Sequence, residues 1–490
     1  MFFLLKYSTI IINLIAVSFA LLNILAPISV NKNWEMHVST VFVFWALFFV
    51  MCTYAHFKTF YLFINAYIIP LCLFHLGIVI PNAYGMLSNF KWDKSSSFHM
   101  WLEYASWYVV LSVACIGVGV GLSMKNKKII VVSDGIRFKI TQTFNKLYLD
   151  GIGLLIASVI FLIMALISLG NLFAYSRADF FHGVGDTRGL GLFMMCLPSA
   201  AIVLMIGACS RKEKIFAATI SLITFAVFLL SGYRSAALFP ALVGVIIWVK
   251  VKNKIPLVVS LSAILFVLFI IPVIGMLRSV GPYNEMNTQH FKKSIQKANI
   301  ENSFIELGST IGVLAHTLRL VPAVDDYRYG ITYVKSFRDS IPNIMPEMNK
   351  SYRKESSNRA MLDHKVIGKM AVPSDWITYR IAPDKYHKGE GVGFSAIGEP
   401  YLNFGIVGVV IFFLSIGYCL GRLDDSYLLD KPNLLLFLCA MFWFLIRTVR
   451  NDFSNFIKPA IFIFIIVVIW RFTACALLKN LKNNKLVKIK

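Results

Sequence analysis

The sequence predicts an all-α polytopic membrane protein with about twelve transmembrane helices and one large, partly helical loop between the ninth and the tenth. Three observations carry this. Hydrophobic residues make up 58% of the 490 positions and charged ones 15%, with 41 Phe, whereas soluble domains hold about 25% charged residues. Apolar runs near the length needed to cross a bilayer, about 20 residues, recur along most of the chain. The basic residues behind a net charge of +23 gather in short connections and the tail. That is the pattern of loops held at an anionic membrane face, not of a nucleic-acid surface.

Taken in order, spans are expected at 7–30, 37–55, 60–83 and 101–124. A basic connection over 125–150 follows, with Lys125, Lys127, Lys128, Arg137, Lys139 and Lys146. Spans at 151–170, 190–209, 215–231, 235–251 and 255–277 come next, separated in part by "RKEK" (211–214) and "KVKNK" (250–254). Spans at 401–421, 433–449 and 456–477 precede the tail "KNLKNNKLVKIK". Counting crossings puts every basic stretch and both termini on one side, the cytoplasm. Segment 7–30 is too long an apolar run for a cleaved signal peptide. All eight cysteines lie in or beside apolar runs and read as packing residues, with no disulfide framework.

Three regions result: 1–277, the outer loop 278–400, and 401–490. The loop holds 17 Lys and Arg against 13 Asp and Glu, so it is nearly balanced, and its length implies a small folded unit on the membrane. In "SFIELGSTIGVLAHTLRLVP" apolar residues at 304, 307, 311, 314 and 318 form a helical stripe. Ser303 and Glu306 have the spacing of a capping box, and Pro322 follows the end. "VPSDWITYRIAPDKYHKGEGVG" reads as irregular loop with Gly389, Gly391 and Gly393 as punctuation.

The chain has no Walker A stretch, no dinucleotide-binding glycine pattern and no HExxH. "GVGVG" (117–121) falls inside a span, where small residues let helices approach. Asp325–Asp326 and Asp424–Asp425 lack the alternate spacing often used to hold a metal, and His364 and His387 have no ligand-spaced partners. Neither a metal nor a cofactor is therefore expected.

Arginines collect instead at the outer edges of spans. Arg234 sits in "LLSGYRSAALFP", Arg447 and Arg450 in "LIRTVRNDFSNF", Arg278 begins the outer loop, and Arg319 and Arg328 lie within it. Guanidinium forks there make a seat for a lipid phosphate or pyrophosphate. Arg234 reads equally as a side chain snorkelling to the interface or as a functional charge. Glu399, in "GFSAIGEPYLNFGIVG" (393–408), reads as a general base or as the structural ion-pair partner of an arginine. His316, three residues before Arg319 and so beside it on a helix, is the second candidate base. Trp376, Tyr379 and Tyr386 read either as exposed rings that stack on sugars or as loop packing.

Four stretches together resemble the bacterial O-antigen polymerases of the Wzy type: "GYRSAAL", "LVPAVDDYRYGITYVKSFRDSIPNIMPEMNK", "GFSAIGEPYLNFGIVGVV" and "RTVRNDF". The resemblance covers roughly 150–476. It implies an enzyme of the inner membrane that joins undecaprenyl-pyrophosphate-linked oligosaccharide units on the periplasmic side, without a metal, and releases undecaprenyl pyrophosphate. Donor and acceptor would both be lipid-linked glycans, and a chain-length regulator would be a further partner. Arg234, Arg278, Arg319, Arg328, Arg447 and Arg450 would hold the pyrophosphate, and Glu399 or His316 would take the proton of the attacking hydroxyl. Some members carry paired Arg-x10-Gly motifs. Arg319 to Gly330 meets that spacing, whereas Arg177 in the earlier outer loop has Arg188 at the corresponding position. Two other readings stand beside this one: an O-antigen ligase, which transfers to lipid A–core, and a lipid-linked oligosaccharide flippase or transporter, for which repeated halves and broken helices would be expected.

Overall fold

All regular structure among the described residues is helical. The computed structural model describes residues 2–26, 33–87, 90, 92, 96–125, 134–169, 190–230, 233–252, 300–338, 340, 372–387 and 391–487. The first nine helices are α1 (Phe2–Leu25), α2 (Trp34–Phe57), α3 (Phe63–Leu76), α4 (Val79–Ala83), α5 (Ser96–Ser123), α6 (Asp134–Leu169), α7 (Leu190–Gly207), α8 (Arg211–Leu230) and α9 (Arg234–Val251). The segment 278–400 contributes α10 (Ile300–Gly308), α11 (Thr310–Leu320), α12 (Ile331–Arg338), α13 (Pro373–Ile381) and α14 (Pro383–His387). The last three are α15 (Gly398–Asp424), α16 (Pro432–Arg447) and α17 (Ser454–Val487), with the 3-10 turn Thr448–Arg450 between the last two. Among the described residues, eight helices are long and apolar enough to cross a membrane, and α3 and part of α7 are shorter apolar helices. The protein is an all-α, multi-pass membrane protein.

Helix α5 is the centre, nearly wholly buried along its span and packed by α1 and α15. Its glycines explain why. A Cβ on Gly119 would lie 2.2 Å from the Leu414 carbonyl oxygen, and one on Gly417 would lie 2.2 Å from that of Ile116. The α5 and α15 backbones touch, and lipid supplies no hydrophobic drive to hold helices together otherwise. Gly119→Val is therefore expected to separate the two helices and remove most folded protein from detergent extracts. Wild-type yield and elution on size-exclusion chromatography would contradict that contact.

Four expectations need correction. Span 60–83 is two helices, α3 and α4, broken around Gly77 and Ile78, where Gly308 packs so closely that its Cβ would lie 2.4 Å from the Ile78 nitrogen. The connection 125–150 is largely helix, because α6 already begins at Asp134. The stripe from Phe304 to Leu318 is split at Ser309 between α10 and α11, and Ser303 lies inside a helix running from Ile300, not at a cap. The stretch 372–387 is helical too. Pro373 fits a first turn, Asp375 complements the N-terminal end of the dipole and Arg380 the other. Span 255–277, Arg278, the loop around Arg177 and Arg188, and His364 lie outside the described residues.

The basic connections meet at one end of the bundle. Lys250 Nζ pairs with Asp424 at 2.8 Å, and Asp424 accepts the backbone N–H of Phe63 and Ile64 at 2.9 and 3.1 Å, so it caps α3. Asp425 accepts the Lys125 N–H at 3.1 Å and lies 3.1 Å from His56 Nε2. Lys252 Nζ donates to the Ala208 carbonyl at 2.6 Å. The adjacent acids are thus used in structural pairs. At the opposite end the loop helices lie on the bundle, α10 on α3, α11 on α5 and α12 on α17, and the buried apolar residues of α11 belong to the same core.

Candidate functional site

The site is built around the first turn of α15. Ser395 Oγ accepts the N–H groups of Ile397 and Gly398 at 3.1 and 3.2 Å, capping that turn. Behind it, His75 Nδ1 must donate to the Leu71 carbonyl (2.9 Å), so its Nε2 accepts from Ser395 Oγ at 2.8 Å. Helix α15 then breaks at Phe404 and Gly405, the latter at φ 62° and ψ −150°, a conformation that suits only glycine. Residues 398–403 form a short turn of their own, set apart from the rest of the helix.

Glu399 is 3% exposed. Its Oε1 accepts from Thr332 Oγ1 at 2.8 Å and its Oε2 from the Phe453 N–H at 2.7 Å. Asn403 Nδ2 donates to Thr332 Oγ1 at 2.7 Å and to the Glu399 carbonyl at 2.9 Å, which directs the Thr332 proton toward the carboxylate. Gly330 N–H bonds Asn403 Oδ1 at 2.9 Å. Three remote segments, 328–332, 398–403 and 453, therefore fix one carboxylate. Each of its oxygens keeps a lone pair free. Among the described residues no arginine lies within ion-pair distance of Glu399, and Arg328 acts on it from farther away.

Segment 393–396 runs beside the turn after α16, with Phe394 N–H donating to the Arg450 carbonyl at 3.0 Å and Ala396 N–H to that of Val449 at 3.2 Å. This brings Arg447 and Arg450 to the same end of the protein as Glu399. The Arg450 guanidinium lies 5.6 Å from the Phe74 ring centroid. Arg447 is within electrostatic reach of Tyr233 and Asp452. Asp452 in turn accepts from Ser374 Oγ at 2.6 Å and Asn455 Nδ2 at 3.2 Å. Arg234 pairs with Glu306 at 3.0 Å, so the loop supplies its counter-charge. Arg328 is buried 5.3 Å from the Trp376 centroid. Burial lowers its pKa to about 10, with Asp325 and Glu399 acting the other way. Arg319 stands exposed at the end of α11.

His316 packs at 4.5 Å from Phe98, with its Nδ1 buried and unpartnered. Burial, then Arg319, lowers its pKa to about 4, so the ring is neutral near pH 7. No hydrogen bond or ion pair joins it to Glu399. Of the stacking candidates, Trp376 and Tyr386 lie inside the loop and Tyr379 is half-buried. Trp376 is 0% exposed and donates its indole N–H to Asp325 at 2.9 Å, while Arg380 holds the same carboxylate bidentately at 2.6 and 2.9 Å. Tyr386 is buried, and half-buried Tyr379 packs edge-on against it at 5.4 Å. These rings hold the loop together.

A small pocket of about 10 Å³ is lined by Tyr333, Ala396, Glu399, Pro400, Asn451 and Phe453, among others. Tyr333 is a residue that sequence reasoning missed. Its hydroxyl is buried without a hydrogen-bond partner, and its ring meets Phe453 edge-on at 5.5 Å. Burial, then Glu399, pushes its pKa up. Thr332 and Asn403 were missed as well, though the four-residue spacing of Glu399 and Asn403 on a helix was a usable signal. Among the described residues no three His, Cys, Asp or Glu side chains converge as metal ligands.

Comparison with known proteins bears on this arrangement. Among curated proteins, Protein CapE of Staphylococcus aureus is 24% identical over 231 residues, 46% of this chain and 43% of that protein. The match thus spans less than half of the relative's length. No solved structure matches the chain. The sequence profile of the O-antigen polysaccharide polymerase Wzy family matches residues 9–480. With a match of that extent over a multi-pass helical bundle, the chain belongs to the O-antigen polysaccharide polymerase Wzy family, whose members polymerise polysaccharide repeat units.

Proposed function

We propose that this protein joins undecaprenyl-pyrophosphate-linked oligosaccharide units on the outer face of the bacterial inner membrane, with the basic end of the bundle in the cytoplasm. The observation that carries it is Glu399, fixed by Thr332 and the Phe453 N–H at the end of the bundle that also holds Arg447 and Arg450. Glu399 takes the proton from a sugar hydroxyl of the incoming lipid-linked unit. That oxygen attacks the anomeric carbon of the growing glycan from the side opposite the carrier. The bond to the pyrophosphate oxygen breaks, and the electron pair leaves with undecaprenyl pyrophosphate. Arg447 and Arg450, with Arg234 and Arg328 nearby, offset the charge that develops on it. The Tyr333 hydroxyl, facing the same pocket, donates to a substrate oxygen. The direct test is extension of a purified lipid-linked unit by the purified protein. Longer glycans together with released undecaprenyl pyrophosphate support the reading, and no extension opposes it.

Thr332 is a positioning residue in this scheme. Thr332→Val keeps the shape, removes one donor from Glu399 and takes away one of the two acceptors of Asn403 Nδ2, which keeps the Glu399 carbonyl. A loss of about tenfold in kcat, or roughly 1.4 kcal/mol of barrier, is expected at nearly constant KM. Thr332→Ser should recover most of it. An equal loss in the serine variant would mean that the site needs the methyl group's packing and not the hydroxyl.

A further inference from the structure

Five tyrosines and a tryptophan meet beside Glu399 in a row that the proposed chemistry leaves unused. Ring centroids lie 6.5 Å apart for Tyr329 and Tyr327, 6.0 Å for Tyr327 and Tyr401, and 5.3 Å for Tyr401 and Tyr108. Tyr104 continues the row 5.3 Å from Tyr108, and Trp101 lies 5.9 Å from Tyr104. Exposure is graded. Tyr108 and Tyr401 are buried, Trp101, Tyr104 and Tyr327 half-buried, and Tyr329 is 74% exposed.

Tyr329 is held where a side chain is unfavourable. Its φ is +46°, followed by Gly330 at +86°, and residues bearing a Cβ rarely take that left-handed region. Backbone bonds lock the turn against α15: Arg328 N–H to the Leu402 carbonyl at 2.9 Å and Tyr329 N–H to that of Asn403 at 3.0 Å. A glycine at 329 would remove the strain, yet the chain keeps a large ring there and turns it outward. Strain maintained by surrounding contacts beside a reactive group points to use.

The chemistry of the row indicates its ligand. The exposed surface of the spans elsewhere is mostly plain hydrocarbon, as at Phe44, Phe464 and Phe472, which suits acyl chains. Its tyrosines are scattered singly, at Tyr7, Tyr54 and Tyr418, with no comparable row among the described residues. Phenol rings offer an apolar face together with a hydroxyl edge, which matches the C–H face and hydroxyls of a pyranose. Position agrees. The turn that carries Tyr329 is tied to the Glu399 turn through Asn403, whose carbonyl accepts the Tyr329 N–H, whose Oδ1 accepts the Gly330 N–H and whose Nδ2 donates to the Glu399 carbonyl. Exposed Phe404, Val407 and Ile411 begin just past the break in α15, so the row lies at the membrane rim, where the first sugars of a lipid-anchored glycan emerge.

We propose that Tyr327 and Tyr329, backed by Tyr401, Tyr104 and Trp101, form a saccharide-binding subsite that stacks pyranose rings of the glycan beside Glu399 and retains the chain between additions. This rests on the polymerase reading above.

The test pairs Tyr329→Gly with Tyr329→Phe. Each is assayed as purified protein on the lipid-linked repeat unit of its host, and in host cells lacking the native copy. Tyr329→Gly relaxes the backbone, so a purely conformational role predicts wild-type behaviour or better. The subsite predicts the reverse: KM for the lipid-linked unit rises about tenfold, the scale of one lost aromatic contact, and modal chain length falls. Tyr329→Phe, which keeps the ring, recovers most of both. A wild-type ladder and KM for Tyr329→Gly overturn the subsite and assign the ring to the interfacial aromatic belt. If Tyr329→Gly does not accumulate, Tyr327→Ala is read by the same two measurements and the same criteria. Glu399→Gln is run alongside. An inactive Glu399→Gln with a normal Tyr329→Gly ladder overturns the subsite alone, whereas failure of the unsubstituted protein to extend the lipid-linked unit overturns the polymerase reading beneath it.

Discussion

Glu399→Gln is expected to abolish chain growth, leaving cells with lipid capped by a single repeat unit and the purified protein slower by about 10²–10⁴-fold, the usual contribution of a general base. Gln fills nearly the same volume. Its amide oxygen can still accept the Phe453 N–H that now bonds Oε2 at 2.7 Å, so the turn at 398–403 should survive and only the proton acceptor is lost. Glu399→Asp withdraws the carboxylate by one methylene from Thr332 and Phe453 and should retain partial activity. The measurement is the rate of glycan extension, with yield and elution on size-exclusion chromatography as the folding control. A full ladder of chain lengths from Glu399→Gln would remove Glu399 from the chemistry and leave it as a staple between segments 332 and 453.

Arg450→Ala is the second large effect, with an expected loss of about 10²–10³-fold, as for deletion of one preorganised donor to a developing charge. The backbone carbonyl of Arg450 makes the bond to Phe394, and alanine retains it, so the pairing of segments 393–396 and 449–450 should persist. Arg450→Lys should recover only part of the rate, because an ammonium lacks the planar fork that meets two phosphate oxygens at once. Combining Arg450→Ala with Arg447→Ala should cost less than the product of the single losses if both cations face one pyrophosphate. Extension at the wild-type rate by Arg450→Ala would place the pyrophosphate elsewhere.

Both predictions depend on a geometry that was only partly legible. Glu399, Arg447 and Arg450 stood out because charge at the outer edge of apolar spans is costly and needs a use. Thr332, Asn403 and Tyr333 did not stand out, since uncharged polar residues at such positions are ordinary. Trp376, which reads either as a sugar-stacking ring or as loop packing, could not be assigned for a related reason. An aromatic in a polar stretch looks exposed, and only the packing of α13 on α11 and the Asp325–Arg380 pair reveal that this part of the loop has an interior. The loop helices 373–387 carried usable signals in Pro373, Asp375 and Arg380, outweighed by the glycines that follow them.

Apolar length and basic connections determined by themselves that this chain is a bundle of membrane-spanning helices with a loop region at one end. Those properties are additive along the chain: each span repays its own transfer into lipid, and each cation is drawn to its own surface. The tertiary structure decided which of the scattered charges share a site. That Glu399 meets Phe453 across 54 positions and Thr332 across 67 follows from the close approach of α5 to α15 and the break at Gly405. It also decided that the exposed ring is Tyr329, with Tyr327 half-buried behind it, and not Trp376. Such contacts depend on shape complementarity between remote segments, and no local property of either partner encodes them.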